Sequence, residues 1–504
     1  MTMTVYRTLR LVRIMLALCV WGLLTFFFVT SAGASAVLWQ GLLKIQFVPA
    51  LLGIATGSLV CVIAVLLLTL LLGRIYCSVI CPLGIYQDIV IWVASLFKTK
   101  KQRRFTYTPA KTGVRYGILL AVAVCVIFGF VMPLVFMDPY GLYGKMAVNL
   151  TFSHQFVWPA FAFALCVWVV ITLLAALKGR FYCNVICPVG TLLGTLSKYA
   201  MFRLTVDESK CRHCLLCGMS CKSQCLDSKH IYIDHSRCVG CLDCTKACKE
   251  YALHYAFAWK RKATPVAQKT PEPAVPDAHK TGRRAFLLGC LGVGAGAVLY
   301  NRFAAEEPKR INAGMPPGAG TLARFKDRCV GCYACVAACP AHIIAPSVTE
   351  LGAQGFLLPS ISYTNGFCGY ECQKCQDVCP SGAIRKMPLE EKKRVKIGVA
   401  QFTLENCIIK KDGTDCGACD EHCPVKAVSI TPTVDFKILD GVSVQVEAFY
   451  PKVTARLCIG CGGCEYICPA TPKAIKVVPM AVQHTADAPE ETVQQQKTDV
   501  DFGF

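Results

Sequence analysis

The residues able to do chemistry here are overwhelmingly cysteines. Eight lie in two runs, Cys211, Cys214, Cys217 and Cys221, then Cys238, Cys241, Cys244 and Cys248. Sixteen more lie in four later runs. Cys329, Cys332, Cys335 and Cys339 form the first, and Cys368, Cys372, Cys375 and Cys379 the second. Cys407, Cys416, Cys419 and Cys423 form the third, and Cys458, Cys461, Cys464 and Cys468 the fourth. The C-x2-C-x2-C-x3-C spacing is that of bacterial [4Fe–4S] ligation, and all four later runs close with Cys-Pro. Isolated zinc tetrads lack that closing signature, and disulfide scaffolds are short and secreted. About six [4Fe–4S] clusters are therefore expected. In two-cluster ferredoxins the fourth cysteine of each run serves the other cluster. That rule pairs Cys248 with Cys211, Cys214 and Cys217, and Cys221 with Cys238, Cys241 and Cys244. Lys222 and Lys249 replace the usual proline, and Cys225 competes with Cys221 as a ligand.

A second pattern is repeated. GRIYCSVICPLG begins at Gly73 and GRFYCNVICPVG at Gly179, so Cys77 and Cys81, like Cys183 and Cys187, stand one helical turn apart. If a pseudo-twofold axis relates the copies, the four thiols converge on one cofactor site. Its occupant is a cluster, another metal or a redox thiol pair; the blander reading is two Cys-Pro helix ends. Cys19, Cys61, Cys125, Cys166 and Cys290 fall in apolar stretches and read as small buried hydrophobes.

Other cofactors leave no trace. There is no C-x-x-C-H for attached haem, and His154 is the single histidine of the apolar half, so a bis-histidine haem is not expected. The glycines at 292–296 lie in an apolar run with no strand before them, so neither a flavin nor an NAD site is read there. Electrons must then come from a diffusible carrier, first of all a quinol. In FMDPYGLYGKM, Asp138 is a candidate proton acceptor beside Tyr140 and Lys145, with His154 as a second; the alternative is a helix-capping aspartate.

These residues need elements to hold them. The chain has 504 residues, 54% of them hydrophobic, and a mean hydropathy of +0.46, too apolar for an ordinary soluble protein. The excess lies in the first 180 residues, where stretches 11–30, 47–72, 116–136 and 156–177 are long enough to span a membrane. Lys and Arg crowd the connection after the second stretch and flank the outer ends, whereas Lys44 and Lys145 stand alone between the pairs. The positive-inside rule places both ends of this module in the cytoplasm. The formal charge of +21 is not a nucleic-acid signal, because six clusters of about −2 each bring it to about +9.

Six segments follow. A four-helix membrane module occupies 1–204 and a cytoplasmic two-cluster ferredoxin domain 205–255. A Pro-rich linker fills 256–282, and Arg283, Arg284, Phe286 and Leu287 open a twin-arginine signal or anchor helix over 283–301. A periplasmic four-cluster ferredoxin domain is expected over 302–481, then a disordered tail over 482–504. The fold class is an α-helical membrane module of four spans plus a fifth anchor or signal helix, carrying α+β ferredoxin-like domains.

The first 255 residues resemble the NapH-type membrane subunit of the periplasmic nitrate reductase system. The shared features are four helices, two C-x-x-x-C-P motifs, an outer-loop Asp-Pro and a cytoplasmic two-cluster ferredoxin. From Gly282 the chain resembles the NapG/MauM-type periplasmic ferredoxin, with its twin-arginine leader, PPGA at 316–319 and four cluster runs. The resemblance implies a menaquinol dehydrogenase fused in one chain in the bacterial inner membrane. It would draw on the quinone pool and pass electrons to a periplasmic reductase or carrier. By analogy with four-cluster ferredoxin subunits, the first and fourth later runs are expected to exchange ligands, as are the second and third. Electrons entering from a cytoplasmic ferredoxin are the alternative. A copper-handling maturation factor and a redox-sensing regulator are rivals from other classes.

Overall fold

A computed structural model describes residues 3–30, 36–53, 59–99, 104–151, 155–257, 312–439 and 442–488. The contacts divide the chain into two compact units. The first comprises Met1–Ser153, Trp158–Glu306 and Asp327–Tyr333; the second comprises His154–Val157, Glu307–Lys326 and Ala334–Phe504. The twin-arginine helix and most of the linker lie outside the described residues, as does His154.

The first unit is a helical bundle with a small ferredoxin-like block. Helix α1 (Met3–Thr30) and helix α10 (Trp158–Lys178) are continuous, and both are long and apolar enough to cross a membrane. The second and third apolar stretches differ from the expected single spans. The second is divided into α3 (Phe47–Leu52) and α4 (Leu59–Leu72). The third is divided into α7 (Thr112–Ile127) and α8 (Met132–Met137). The cause of the second break is local: Gly129 takes φ +77°, and Pro133 opens α8, where its missing N–H costs nothing. Helices α2 (Ala36–Lys44), α5 (Tyr76–Val79), α6 (Pro82–Phe97), α9 (Pro139–Leu150) and α11 (Pro188–Ser197) complete the bundle.

In the ferredoxin block, β1 (Phe202–Val206) pairs antiparallel with β4 (Leu253–Phe257), and β2 (Leu226–Asp227) with β3 (Tyr232–Ile233). Two short helices, α12 (Leu216–Met219) and α13 (Asp243–Ala247), carry the third cysteines.

The second unit is built on antiparallel strand pairs. β5 (Ile344–Pro346) pairs with β6 (Pro359–Ile361), β7 (Val395–Phe402) with β10 (Ile475–Thr485), and β8 (Val428–Leu439) with β9 (Val442–Val453). Its core is cysteines among small apolar residues, such as Ala400, Ala427, Val428 and Ile475 around Cys407, Cys458 and Cys468. Cys125 is buried as expected, but Cys19 and Cys166 face outward on α1 and α10, which corrects their reading as buried hydrophobes.

The expected disordered tail is also corrected at its start, because β10 runs through Thr485. Gln483 holds it: its amide donates to the carbonyls of Met315 and Pro316 and accepts from the amides of Gly318 and Gly320. One side chain thus satisfies four backbone groups of the segment from Met315 to Gly320. Gln483→Ala leaves these groups unpaired and should weaken protection of the Gly318 and Gly320 amides by about 1–3 kcal/mol. Hydrogen exchange followed by mass spectrometry reads this directly.

Candidate functional site

The two Cys-x-x-x-Cys-Pro copies are brought together. Cys77, Cys81, Cys183 and Cys187 are all buried, each 5% exposed or less. Cys81 feels the charges of the other three, so the four thiols share one electrostatic environment. Each closing Cys-Pro starts a helix: Cys81 and Cys187 are the N-caps of α6 and α11, with proline next. The copies clasp reciprocally. Arg180 donates to the carbonyl of Cys77 at 2.8 Å, and Arg74 donates to the carbonyl of Cys183 at 3.1 Å. Gly84 and Gly190 permit this approach, because a Cβ there would stand 2.2 Å and 2.1 Å from those same carbonyl oxygens.

The ferredoxin block is fastened to this clasp. Arg74 also donates to the carbonyl of Ser236, and Arg115 donates to the Ser236 hydroxyl. The amide of Arg180 donates to the carbonyl of Lys222. Lys222, standing where proline is usual, bridges Asp88 at 2.8 Å and Asp243 at 3.1 Å. Asp88 also pairs with Arg180, and Asp243 with Arg10 of α1. Burial alone would raise the Asp88 carboxyl, but Arg180 and Lys222 outweigh it and hold it well below the usual carboxylate range. The missing proline therefore has a structural reason at Lys222. Lys249 is exposed, and nothing in the structure explains it.

Cys217 lies within electrostatic reach of Cys248, Cys214 and Cys211, the first expected set. Cys221, Cys225, Cys238, Cys241 and Cys244 line one cavity. Cys244 feels Cys241, Cys221 and Cys238, and Cys225 lies 3.6 Å from Cys221 and also hydrogen-bonds Cys238.

The second unit departs from the expected exchange of the first run with the fourth and of the second with the third. Cys407, Cys416 and Cys419 share a cavity with Cys468, so the third run meets the end of the fourth. Cys458, Cys461 and Cys464 lie near Cys423 in return. Cys368, Cys372 and Cys375 share a cavity with Cys339, so the second run meets the end of the first.

The backbone fits clusters as well. In all four regular runs the residues two and four after the first cysteine take left-handed φ. They are His213 and Leu215, Gly240 and Leu242, Gly331 and Tyr333, and Gly460 and Gly462. Four of these are not glycine, a conformation that costs about 1–3 kcal/mol each unless the surroundings require it. Such turns point successive amides inward to form an anion-binding concavity, as cluster sulphurs need. Among the described residues, no three His, Cys, Asp or Glu side chains close to the spacing of a single ion. The cysteines ring cavities instead.

Asp138 is buried and caps α9, accepting from the amides of Tyr140 and Gly141. Burial pushes its carboxyl up to about 6 against those two hydrogen bonds. Beyond it, the segment Asp327–Tyr333 seats on α9: a Cβ at Gly144 would stand 2.1 Å from the carbonyl oxygen of Cys332. Lys145, equally buried, donates to the carbonyl of Val135 beside Gly331. Burial pulls its ammonium down to about 8, opposed by Asp138, Cys329 and Cys332. The sequence did not mark this contact; the paired glycines of GLYG were its only trace.

Comparison with known proteins agrees with this chemistry. A 4Fe-4S binding domain model matches residues 54–104 and 160–205, and a second matches 324–345. A 4Fe-4S dicluster domain model matches 367–427, which spans the second and third later runs. The ferredoxin-type protein NapG of Escherichia coli (strain K12) is 30% identical over 220 residues, covering 40% of this chain and 88% of NapG. The chain belongs to the NapG family of ferredoxin-type proteins. The methylamine utilization ferredoxin-type protein MauM of Paracoccus denitrificans is 29% identical over 214 residues, 40% of this chain and 86% of MauM. The ferredoxin-type protein NapF of Escherichia coli (strain K12) is 28% identical over 163 residues, 32% of this chain and 84% of NapF. No solved structure matches. The chain is thus a NapG-family iron–sulphur electron-transfer protein with multiple [4Fe–4S] sites.

The charge network makes a testable difference between its members. Asp88→Asn leaves Arg180 and Lys222 without their shared carboxylate and should cost about 3–5 kcal/mol. Lys222→Met leaves Asp88 paired with Arg180 and should cost distinctly less. Thermal unfolding of the two purified variants compares them.

Proposed function

We propose that the chain is a membrane quinol dehydrogenase, oxidising a quinol of the menaquinol type and passing electrons to a periplasmic reductase. The observation that carries this reading is the placing of chemistry along α1. Arg10 is paired with Asp243 of the ferredoxin block, while Thr25 hydrogen-bonds Tyr143 of α9, and Phe28 packs beside Gly144 and the Cys332 loop. The eighteen steps from Arg10 to Phe28 rise about 27 Å, close to the roughly 30 Å hydrocarbon thickness of a bilayer. Cluster-binding segments thus stand at opposite ends of one membrane-length helix. This supports a cytoplasmic first block and a periplasmic second one.

The surface of the bundle supports the same setting. Only 22% of the apolar window of α1, and of α10, is buried. Met15, Val60, Trp92, Ile127 and Leu173 turn outward from α1, α4, α6, α7 and α10, a broader apolar surface than a soluble monomer presents. The multi-pass topology, four apolar stretches with both ends of the module inside, rests on this surface and on the positive-inside rule.

Each cluster would be held by four cysteines and would carry one electron at a time. The sets we assign are Cys211, Cys214, Cys217 and Cys248; Cys238, Cys241, Cys244 and Cys221; Cys368, Cys372, Cys375 and Cys339; Cys407, Cys416, Cys419 and Cys468; and Cys458, Cys461, Cys464 and Cys423. Cys329, Cys332, Cys335 and Cys379 are the later cysteines left over, enough in number for a sixth cluster. Oxidising a quinol releases two protons with two electrons. Asp138 is the group we assign to accept a proton, at a buried carboxylate with a raised pKa. Entry of electrons from a cytoplasmic ferredoxin is the second reading, favoured by the tight joint of Arg74 and Lys222 between that block and the bundle.

Anaerobic mixing of the iron-replete protein with reduced menaquinone analogue should bleach cluster absorbance. The rate should rise with pH through about 6 as Asp138 ionises, then level off. Asp138→Asn should slow it at least about 100-fold and remove that pH dependence. An iron-replete protein silent to quinol, yet reduced quickly by a low-potential ferredoxin, would favour the second reading instead. Cys221→Ala should lose one cluster's iron, while Cys225→Ala keeps the full complement; equal losses would contradict the assignment of Cys221.

A further inference from the structure

The tetrad of Cys77, Cys81, Cys183 and Cys187 carries more than its sequence pattern. Each 4Fe-4S-matched stretch of the bundle supplies only two of these cysteines, so neither can complete a cluster alone. The arginine clasp joins them into one buried group of four.

Every sulphur of that group is served by a donor. The amide of Gly190 reaches Cys187 Sγ at 3.3 Å, and the equivalent Gly84 amide serves Cys81. Gln87 Nε2 reaches Cys183 Sγ at 3.2 Å, and Arg74 Nη2 lies 3.9 Å from Cys77 Sγ. Four donors on four sulphurs suit anionic, metal-bound thiolates; neutral thiols are weak acceptors and gain little from them.

Charge and unused polar atoms point the same way. Arg74 and Arg180 are fully buried. Arg180 is balanced by Asp88, but among the described residues Arg74 has no carboxylate within salt-bridge distance. The donors Arg74 Nε and Arg180 Nη2 are buried without hydrogen-bond partners. A buried, uncompensated guanidinium is costly unless an anion lies beside it. A centre with four thiolate ligands supplies that anion.

We propose that these four cysteines hold one iron–sulphur centre shared between the two repeats, additional to the six clusters of the ferredoxin blocks. The proposal rests on the reading of the chain as an iron–sulphur electron carrier. Both stretches match a 4Fe-4S binding domain model, so a centre with internal sulphide fits the tetrad better than zinc or copper. Arg74 joins this centre to the ferredoxin block, because the same guanidinium reaches the Ser236 carbonyl, two residues before Cys238.

The test uses full-length protein purified anaerobically, with iron, zinc, copper and acid-labile sulphide counted and EPR recorded at graded potentials. Six clusters hold about 24 iron atoms. The wild type should exceed that by two to four, and Cys77→Ser/Cys183→Ser should lose that excess and one EPR signal while keeping the rest. Gln87→Leu, which removes a hydrogen bond to one sulphur, should move that same signal to lower potential and no other. If the double variant fails to fold, the Gln87→Leu shift decides alone. Equal iron in wild type and double variant, or no signal moved by Gln87→Leu, overturns the proposal and leaves quinol oxidation standing. Stoichiometric zinc or copper lost with the cysteines overturns it too. Iron far below 24 in both proteins would instead undermine the six-cluster reading itself.

Discussion

The reciprocal donation of Arg74 to the Cys183 carbonyl and Arg180 to the Cys77 carbonyl is the contact on which the first unit depends. It ties the second half-motif to the first, so two cysteine pairs distant in sequence become one buried group. The same two residues reach the ferredoxin block, Arg74 through the Ser236 carbonyl and Arg180 through the Lys222 carbonyl and Asp88. Long, planar and multiply donating, arginine can serve both partners at once, where lysine would serve one point. Two glycines make the approach possible, since any Cβ at Gly84 or Gly190 would collide with the carbonyls being held.

Much of the chemistry was legible in sequence because ligand spacing is local. Cysteines two and three residues apart must share a turn, so the runs announce clusters without knowledge of the fold. Partner exchange between runs is not local, and analogy misplaced it. The structure joins Cys468 to Cys407 and Cys339 to Cys368. Hydropathy likewise marked four apolar stretches but not their breaks. Composition is blind to the single left-handed Gly129 that ends α7. Gln483 was hidden for the opposite reason: a polar residue in a polar tail looks disordered until the backbone groups it satisfies are in view. Lys222 read as a flaw in a motif and is a joint in a charge network.

A consistent division of labour follows. In the proposed function the reducing end lies at Asp138, whose buried carboxyl is raised to about 6. In the proposed path one branch runs through Arg74 to the ferredoxin block beside α1's first turns. The other begins at the Cys329–Cys332 segment seated on Gly141 and Gly144. The rise of α1 from Arg10 to Phe28, about 27 Å, matches the membrane thickness that the proposed path would cross.

That separation is the centre of the account, and sidedness tests it most directly. Intact, right-side-out spheroplasts would be probed with antibodies raised separately against residues 202–257 and 312–488. The account predicts that the second antibody binds intact cells, while the first binds only after lysis. Binding of both before lysis, or of neither until lysis, would put the two ferredoxin blocks on one side and contradict a transmembrane electron path.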